Sequence, residues 1–174
     1  MKAMVLKKIT DLEKDRKPLV FSSLPDPVPD KDEVLLRIKT CGVCHTELDE
    51  IEGRTPPPHL PIVPGHEVIG VVEETGSQVT GLKAGDRLGV AWIYSSCGIC
   101  DYCRSRNENL CREFSATGRD AQGGYAEYMT VPAESAYPIP EIFSDAEAAP
   151  LLCAGAIGYR SLMLTGLQDG QNLG

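Results

Sequence analysis

Four cysteines stand close together in the segment CGICDYCRSRNENLC, residues 97–111, with two, two and seven residues between successive thiols. Zinc prefers four tetrahedral ligands, and thiolates at such short spacing can surround one ion without help from distant parts of the chain. The alternatives are an iron–sulfur cluster, whose bacterial form has a tighter final spacing, or unrelated free thiols and a redox pair. The pattern predicts a structural zinc in a lobe spanning residues 95–113, with the ligands Cys97, Cys100, Cys103 and Cys111.

Three cysteines and three histidines remain for a second metal site. They are Cys41, Cys44, Cys153, His45, His59 and His66. A catalytic zinc takes three protein ligands, commonly a mixture of cysteine and histidine, and keeps one position open. The inventory permits such a site, but spacing alone does not choose the ligands. Cys153 in PLLCAGA also fits a small buried core residue, and His66 in VPGHEVIG also fits a hydrogen-bonded loop histidine.

Several motifs resemble those of zinc-containing alcohol dehydrogenases of the medium-chain dehydrogenase/reductase type. The segment GHEVIGVVEETGSQV resembles the family signature, and the similarity extends over nearly the whole chain, through GVCHTE, the four-cysteine lobe, GGYAEY and AAPLLCAG. The residues in register with the signature are Gly65, His66, Glu67, Gly70, Gly76 and Val79. The resemblance implies the GroES-like catalytic domain of that family, with two Zn²⁺ sites.

The same resemblance implies a role for individual residues. The catalytic zinc ligands would be Cys44, His66 and Cys153, with Glu67 as an acid beside the metal that can replace a ligand. Thr46 corresponds to the hydroxyl that takes the alcohol proton, His45 to the basic position that contacts the cofactor pyrophosphate, and Trp92 to an aromatic residue of the substrate pocket. The alternatives are a helix cap for Thr46, an exposed loop residue for His45 and a core residue for Trp92. Cys41 is left over as a core thiol.

Three positions depart from the family pattern. Glu47 stands where an Asp usually orients the zinc-bound histidine, so the hydrogen bond can shift by a methylene. Asp49 stands where many members have the histidine that passes the proton to solvent, so the relay would end in this carboxylate or bypass it. Ile157 replaces a threonine that commonly meets the nicotinamide, which puts that contact in doubt.

The composition indicates a globular protein of one domain with a short extension, since 42% of its 174 residues are hydrophobic and 24% are charged. A net charge of -8 opposes binding to nucleic acid. No signal-peptide pattern is present, and no apolar run is long enough for a membrane span. We therefore expect a cytoplasmic protein that binds neither nucleic acid nor a membrane.

Short β-like runs separated by proline- and glycine-rich turns predict a mainly β fold with a few helices. With the resemblance, this becomes a GroES-like, partly open β barrel carrying a zinc-binding lobe. The predicted strands are 3–6, 19–21, 33–38, 68–72, 87–91 and 125–130. Helices are predicted over 44–52, after a capping box formed by Ser144 and Glu147, and after Cys153 towards Thr165.

The expected organisation is a catalytic domain over residues 1–150, followed by a helix and linker over 151–174 that lead towards a nucleotide-binding domain. No GxGxxG motif occurs in the sequence, so the Rossmann domain implied by the resemblance is expected to lie outside this chain. The intact enzyme would interconvert alcohols with aldehydes or ketones using NAD or NADP, and a homo-oligomer is allowed. The fragment alone is expected to be inactive.

Two other functions compete with this interpretation. The first is a zinc-stabilised GroES-like structural or assembly module without catalysis. The second is a thiol redox protein that uses Cys41 and Cys44, although no thioredoxin-like βαβ pattern surrounds that pair.

Overall fold

A computed structural model describes residues 1–173, and these fold into a mainly β domain with short helices. The strands are β1 (Lys2–Leu6), β2 (Leu19–Ser23), β3 (Glu33–Cys41), β4 (Val68–Thr75), β5 (Arg87–Val90), β6 (Ile93–Ser95), β7 (Ser115–Ala116), β8 (Tyr128–Pro132) and β9 (Ala136–Pro138). The α-helices are α1 (His45–Glu52), α2 (Asp101–Arg104), α3 (Asp145–Ala148) and α4 (Ala154–Thr165). Short 3₁₀ helices cover Glu108–Leu110, Ala133–Ser135 and Ala149–Leu152.

The main sheet is antiparallel and has the strand order β8-β3-β4-β5-β9. Alternate residues of β3, such as Val34 and Leu36, are fully buried, as the period of two in a half-buried strand requires. Two register shifts between β3 and β4, at Leu35/Leu36 and Ile38/Thr40, bend the sheet. The curled sheet forms half of a barrel around its core, which consists of Val34, Leu36, Val68, Val72, Leu88, Val90, Met129, Val131 and Ala136.

The strands β1 and β2 form a separate two-stranded antiparallel sheet. Backbone bridges join Ala3 to Ala126 and Leu6 to Ile62, so β1 connects the segment before the signature motif with the segment before β8. Ala3 and Val5 pack with Val63 in a small core of their own. The predicted mainly β, partly open barrel is thus confirmed.

Local sequence signals set the helix ends. Cys44 is the N-cap of α1, and the Glu47 side chain accepts a hydrogen bond from the Cys44 backbone at 2.7 Å. Ser144 and Glu147 form the predicted capping box at the start of α3. The helix α4 ends at Gly166, whose φ of 68° is the left-handed conformation that favours glycine. None of the α4 residues is buried.

Sequence reasoning missed or misplaced some strands. The short strands β6, β7 and β9 were not predicted. The predicted strand starting at Tyr125 is wrong at its beginning, because β8 starts at Tyr128. The preceding backbone bonds to β1 as well, since the Tyr125 carbonyl accepts from the Met4 amide and the Glu127 amide donates to the Lys2 carbonyl. The expected boundary at residue 150 falls inside the 3₁₀ helix Ala149–Leu152 and stays a prediction.

Among residues 1–173 no single helix is long and apolar enough to cross a membrane. Only the bent pair formed by Asp145–Leu152 and Ala154–Thr165 meets the length and composition requirements when both helices are taken together.

Candidate metal centres and the adjoining cleft

The lobe between β6 and β7 gathers its four cysteines into one cluster. One sulfur from each of Cys97, Cys100, Cys103 and Cys111 lies within 4.8 Å of all the others. Cys100 caps α2, which places Cys103 one turn further, and the Cys100 and Cys103 sulfurs are 3.5 Å apart. Four thiols in this arrangement fit the tetrahedral shell of a zinc ion.

Backbone amides already favour a thiolate in this lobe. The amides of Ile99 and Cys100 point at the Cys97 sulfur and lower the pKa of Cys97 to about 7. Metal ligands must be deprotonated, so this arrangement reduces the cost of binding a cation. The lobe has little apolar material of its own to order it, and Ile99 and Leu110 are exposed.

A second cluster joins distant parts of the chain. Cys44, His66, Glu67 and Cys153 each place one donor atom within 4.8 Å of the others. Cys44 precedes α1, His66 and Glu67 precede β4, and Cys153 lies at the start of α4. The thiol–thiol distance between Cys44 and Cys153 is 3.7 Å. Burial raises the pKa of Cys153 to about 12, so without a cation this thiol stays protonated.

His66 is the buried centre of the second cluster. Its side chain is 1% exposed, and its Nε2 atom has no hydrogen-bond partner among residues 1–173. Such a buried nitrogen is costly unless something binds it. Glu47 Oε1 lies 2.7 Å from His66 Nδ1, although the contact is not aligned as a hydrogen bond. The two thiols, this imidazole and the Glu67 carboxylate make a donor set that fits zinc.

The Glu67 side chain packs directly against Gly42. A Cβ at Gly42 would lie 1.9 Å from Glu67 Oε2, so any other residue at position 42 would displace the carboxylate from this position. Burial raises the pKa of Glu67, while the neighbouring His66 lowers it. The carboxylate is thus held beside the candidate ligands in a site that disfavours its charge unless a cation is present.

Cys41 belongs to neither cluster. Its side chain packs against the core of the main sheet, and its sulfur sits between Gly65 and Gly124, where an added Cβ would approach it to within 3 Å. Burial raises the pKa of Cys41 to about 12, which keeps the thiol protonated at neutral pH. A protonated thiol is a poor nucleophile, and this disfavours a redox role for Cys41 with Cys44.

A cleft of about 460 Å³ opens beside the second cluster. Thr46, His66 and Cys153 are among its lining residues, and its walls are mostly apolar. The Thr46 hydroxyl oxygen is 3.6 Å from the Cys44 sulfur. The residues that line the rest of the cleft are Ala91, Trp92, Ile93, Asn109, Tyr137, Leu152, Ala156, Ile157 and Arg160.

Two further candidate residues lie on the exposed flank of α1. His45 has a side chain that is 75% exposed, with its Nε2 atom 3.6 Å from Asp49 Oδ1. Asp49 also accepts a close hydrogen bond from Arg54. Asp49 lies three residues after Thr46 on α1, and the contact with Arg54 gives its carboxylate a cationic partner.

Sequence reasoning missed several residues of the site. Asn109 and Tyr137 line the cleft from the cysteine lobe and from β9, and Arg160 on α4 donates a hydrogen bond to Asn107 of the lobe at 3.1 Å. Glu50 was missed as well. It is 1% exposed, and within the described part of the chain neither carboxylate oxygen has a hydrogen-bond partner. Burial raises the pKa of Glu50 to about 8, with a further contribution from the charge of Glu47.

The sequence was compared with those of known protein families and of characterised proteins. Residues 30–141 match the alcohol dehydrogenase GroES-like domain. The chain belongs to the zinc-containing alcohol dehydrogenase family. An alcohol dehydrogenase of Geobacillus stearothermophilus is 47% identical over 161 residues, which are 92% of this chain and 48% of that one.

Solved structures of alcohol dehydrogenases share the fold. An NAD-dependent alcohol dehydrogenase matches with a TM-score of 0.90 and 30% identity, over 98% of this chain and 49% of that one. The cobalt- and zinc-bound thermostable alcohol dehydrogenase of Pyrobaculum aerophilum matches with a TM-score of 0.87 and 30% identity, over 99% of this chain and 50% of that one. The chain spans about half the length of the curated alcohol dehydrogenases that it matches.

Proposed function

We propose that this chain is the zinc-binding catalytic half of an alcohol dehydrogenase, which interconverts alcohols with aldehydes or ketones by hydride transfer to or from NAD or NADP. The observation that carries the proposal is the meeting of Cys44, His66 and Cys153 in one cluster, two of whose members, His66 and Cys153, line a mostly apolar cleft. An apolar cleft with a few polar groups suits a small alcohol or carbonyl compound.

The donor set favours a catalytic site over a closed structural one. Two thiolates and a neutral imidazole balance the charge of a zinc dication, and Glu67 stands beside them as a replaceable fourth donor. Zinc bound there would supply Lewis acidity, which lowers the pKa of an alcohol much as it lowers that of water. The unpartnered Nε2 atom of His66 supports its assignment as a ligand.

Thr46 is proposed to take the proton of the alcohol. Its hydroxyl lines the cleft near the Cys44 sulfur, so an alcohol oxygen at that end of the cleft would lie within its reach. His45 is proposed to contact the cofactor pyrophosphate from its exposed position, and Asp49 beside it would pass the proton to solvent. Trp92 is proposed as a wall of the substrate pocket.

The four-cysteine lobe is proposed to hold a second, structural zinc. All four donors come from the protein, which leaves no position for substrate. Both proposed zinc sites need cysteines that are reduced, and thiols stay reduced in a reducing compartment. We therefore propose that the protein works in the cytoplasm.

The nucleotide-binding half is proposed to pack along α4. Three apolar residues on this helix are exposed, namely Ile157, Leu162 and Leu164. Such exposed apolar residues are expected where a second domain would cover the helix. Residues 151–174 would then lead from one half to the other. Ile157 also lines the cleft, so it would lie between the substrate and the cofactor.

The test is a metal count followed by an activity measurement. The purified chain should bind two zinc ions, and Cys44→Ser and Cys97→Ser should each bind one. The chain alone should give no NAD(P)-dependent oxidation of alcohols, because hydride transfer needs the cofactor positioned against the substrate. The complete polypeptide with its nucleotide-binding half should oxidise alcohols and lose this activity in Cys44→Ser. One zinc per chain after saturation with zinc, or equal activity in Cys44→Ser, would refute the proposal.

A further inference from the structure

Arg119 lies against the face of Trp92, the aromatic wall of the cleft. The central carbon of its guanidinium is 5.6 Å from the centroid of the Trp92 ring, within the range of a cation–π contact. Trp92 also meets His66 edge-on, with ring centroids 4.9 Å apart and an interplanar angle of 74°. The indole is therefore held between a cation and a candidate metal ligand.

Acidic groups fix the position of the guanidinium. The Nε and Nη2 atoms of Arg119 donate to Asp120 Oδ2 at 3.1 and 2.7 Å. The same oxygen accepts a hydrogen bond from the Ala116 backbone at 2.7 Å, which anchors the Asp120 side chain. The buried carboxyl of Glu50 also attracts Arg119, since the positive charge of Arg119 lowers the pKa of Glu50 against the larger effect of burial.

The loop that carries Arg119 is hydrogen-bonded to the backbone of residues 91 and 92 and packs against Gly65. The Thr117 backbone donates to the Trp92 carbonyl at 2.9 Å, and its hydroxyl donates to the Ala91 carbonyl at 2.8 Å. Gly118 has a φ of +82°, and a Cβ there would lie 2.7 Å from the Gly65 nitrogen, next to His66. The loop, the ring and the segment before His66 therefore form one packed unit.

We propose that Arg119 is a positioning residue that holds the Trp92 ring as the wall of the cleft and so sets the size of the alcohol or carbonyl substrate. This inference rests on the proposed function of the cleft. At a partly exposed site, a cation–π contact favours the ring position that makes the contact over other ring positions by a factor of about two to five. Without the cation, the ring should move more freely and the cleft should admit larger groups.

The position of the ring can be tested on this chain alone. Trp92 is the only tryptophan in the sequence, so its fluorescence reports one ring. In Arg119→Leu we expect the acrylamide quenching constant of this fluorescence to rise about twofold, and Arg119→Lys should restore part of the protection. Arg37→Leu is the matched control, because Arg37 also pairs with a carboxylate, Glu73, but is not among the residues that line the cleft.

Unchanged quenching in a folded Arg119→Leu protein would overturn the proposed contact. If circular dichroism shows that Arg119→Leu does not fold, Arg119→Gln replaces it. Glutamine keeps a polar group at the end of the side chain but removes the charge. The same two outcomes then apply to Arg119→Gln.

Size selection is tested on the complete dehydrogenase. We expect Arg119→Leu to raise kcat/KM for benzyl alcohol relative to ethanol about two- to fivefold, with Arg119→Lys in between and Arg37→Leu unchanged. An unchanged ratio would overturn the role in substrate size. If the parent enzyme oxidises no alcohol, the proposed function and size selection both fail, while the quenching result still decides whether Arg119 positions Trp92.

Discussion

The sulfur atoms of Cys44 and Cys153 lie 3.7 Å apart, although 109 residues separate them in the sequence. One precedes α1 and the other starts α4, so they meet only when the barrel between them has folded. The four-cysteine lobe closes much shorter loops. Because of this difference in loop length, we expect the two sites to release metal differently.

Metal removal should therefore follow an order. We expect a mild chelator to strip the site at Cys44, His66 and Cys153 before the lobe, because the former depends on long-range closure of the chain. The measurement is zinc content against time, with far-UV circular dichroism on the same samples. The first zinc should leave before any loss of secondary structure. Simultaneous release, or earlier release from the lobe, would contradict the assigned roles.

Replacing Cys100 by serine should remove the zinc of the lobe and unfold at least residues 95–113. Structural zinc sites of this type contribute on the order of 10 kcal/mol of apparent binding free energy, so the effect should be large. The readouts are zinc content and thermal unfolding. Cys41→Ser is the control, because this thiol lies outside both clusters and its replacement should leave the zinc content unchanged. Unchanged zinc content and melting temperature in Cys100→Ser would refute the assignment of a structural zinc to this lobe.

Glu47 should act on the metal through His66. Replacing it by glutamine keeps its shape but removes the charge 2.7 Å from His66 Nδ1. Loss of such a supporting group typically weakens metal binding about 10- to 100-fold. Competition with a zinc indicator measures the affinity. Glu147→Gln is a matched control, since Glu147 occupies the same capping position in α3. Equal zinc affinities of the two variants would show that Glu47 serves only as a helix cap.

Two glycines should respond oppositely to alanine. Gly42→Ala places a Cβ 1.9 Å from Glu67 Oε2, and such overpacking should lower the free energy of unfolding by about 1–3 kcal/mol. Gly158 lies inside α4 with open space around it, so Gly158→Ala should raise the free energy of unfolding by up to about 1 kcal/mol. Denaturant unfolding of both variants checks the signs. A neutral Gly42→Ala would mean that Glu67 does not need its present position.

Glu50 predicts a pH dependence of stability. Its folded pKa is raised to about 8, whereas an unfolded glutamate titrates near pH ~4.3. Between these values the folded chain holds a proton that the unfolded chain has lost, so the free energy of unfolding falls as the pH rises. Glu50→Gln should therefore raise the melting temperature more at pH 8 than at pH 5. The exposed Glu141, changed in the same way, provides the control, and an identical pH dependence of Glu50→Gln and the parent would contradict the prediction.

The parts that sequence predicted well are those set by local chemistry. The Ser144–Glu147 capping box and the helix that follows Cys153 depend on neighbours a few residues away. The four-cysteine cluster is local for the same reason. The second cluster was assigned through family resemblance, because no spacing rule connects Cys44 to Cys153.

The parts that sequence could not predict depend on long-range packing. The strand β9 has three residues and no periodicity to read, yet it brings Tyr137 to the cleft. Glu50 looks like an exposed helix residue until α1 is packed against the barrel. Arg119 has no motif around it, and its contact with Trp92 exists only because the loop after β7 folds back on residues 91 and 92.

The outer strands of the main sheet, β8 and β9, are short, and each ends on a proline, Pro132 and Pro138. Proline has no backbone N–H to offer, and short edges give an approaching strand little to pair with. An open barrel of this kind exposes strand edges that could otherwise recruit further chains. The two prolines thus give the open sheet a built-in resistance to fibril-like growth, independent of any metal.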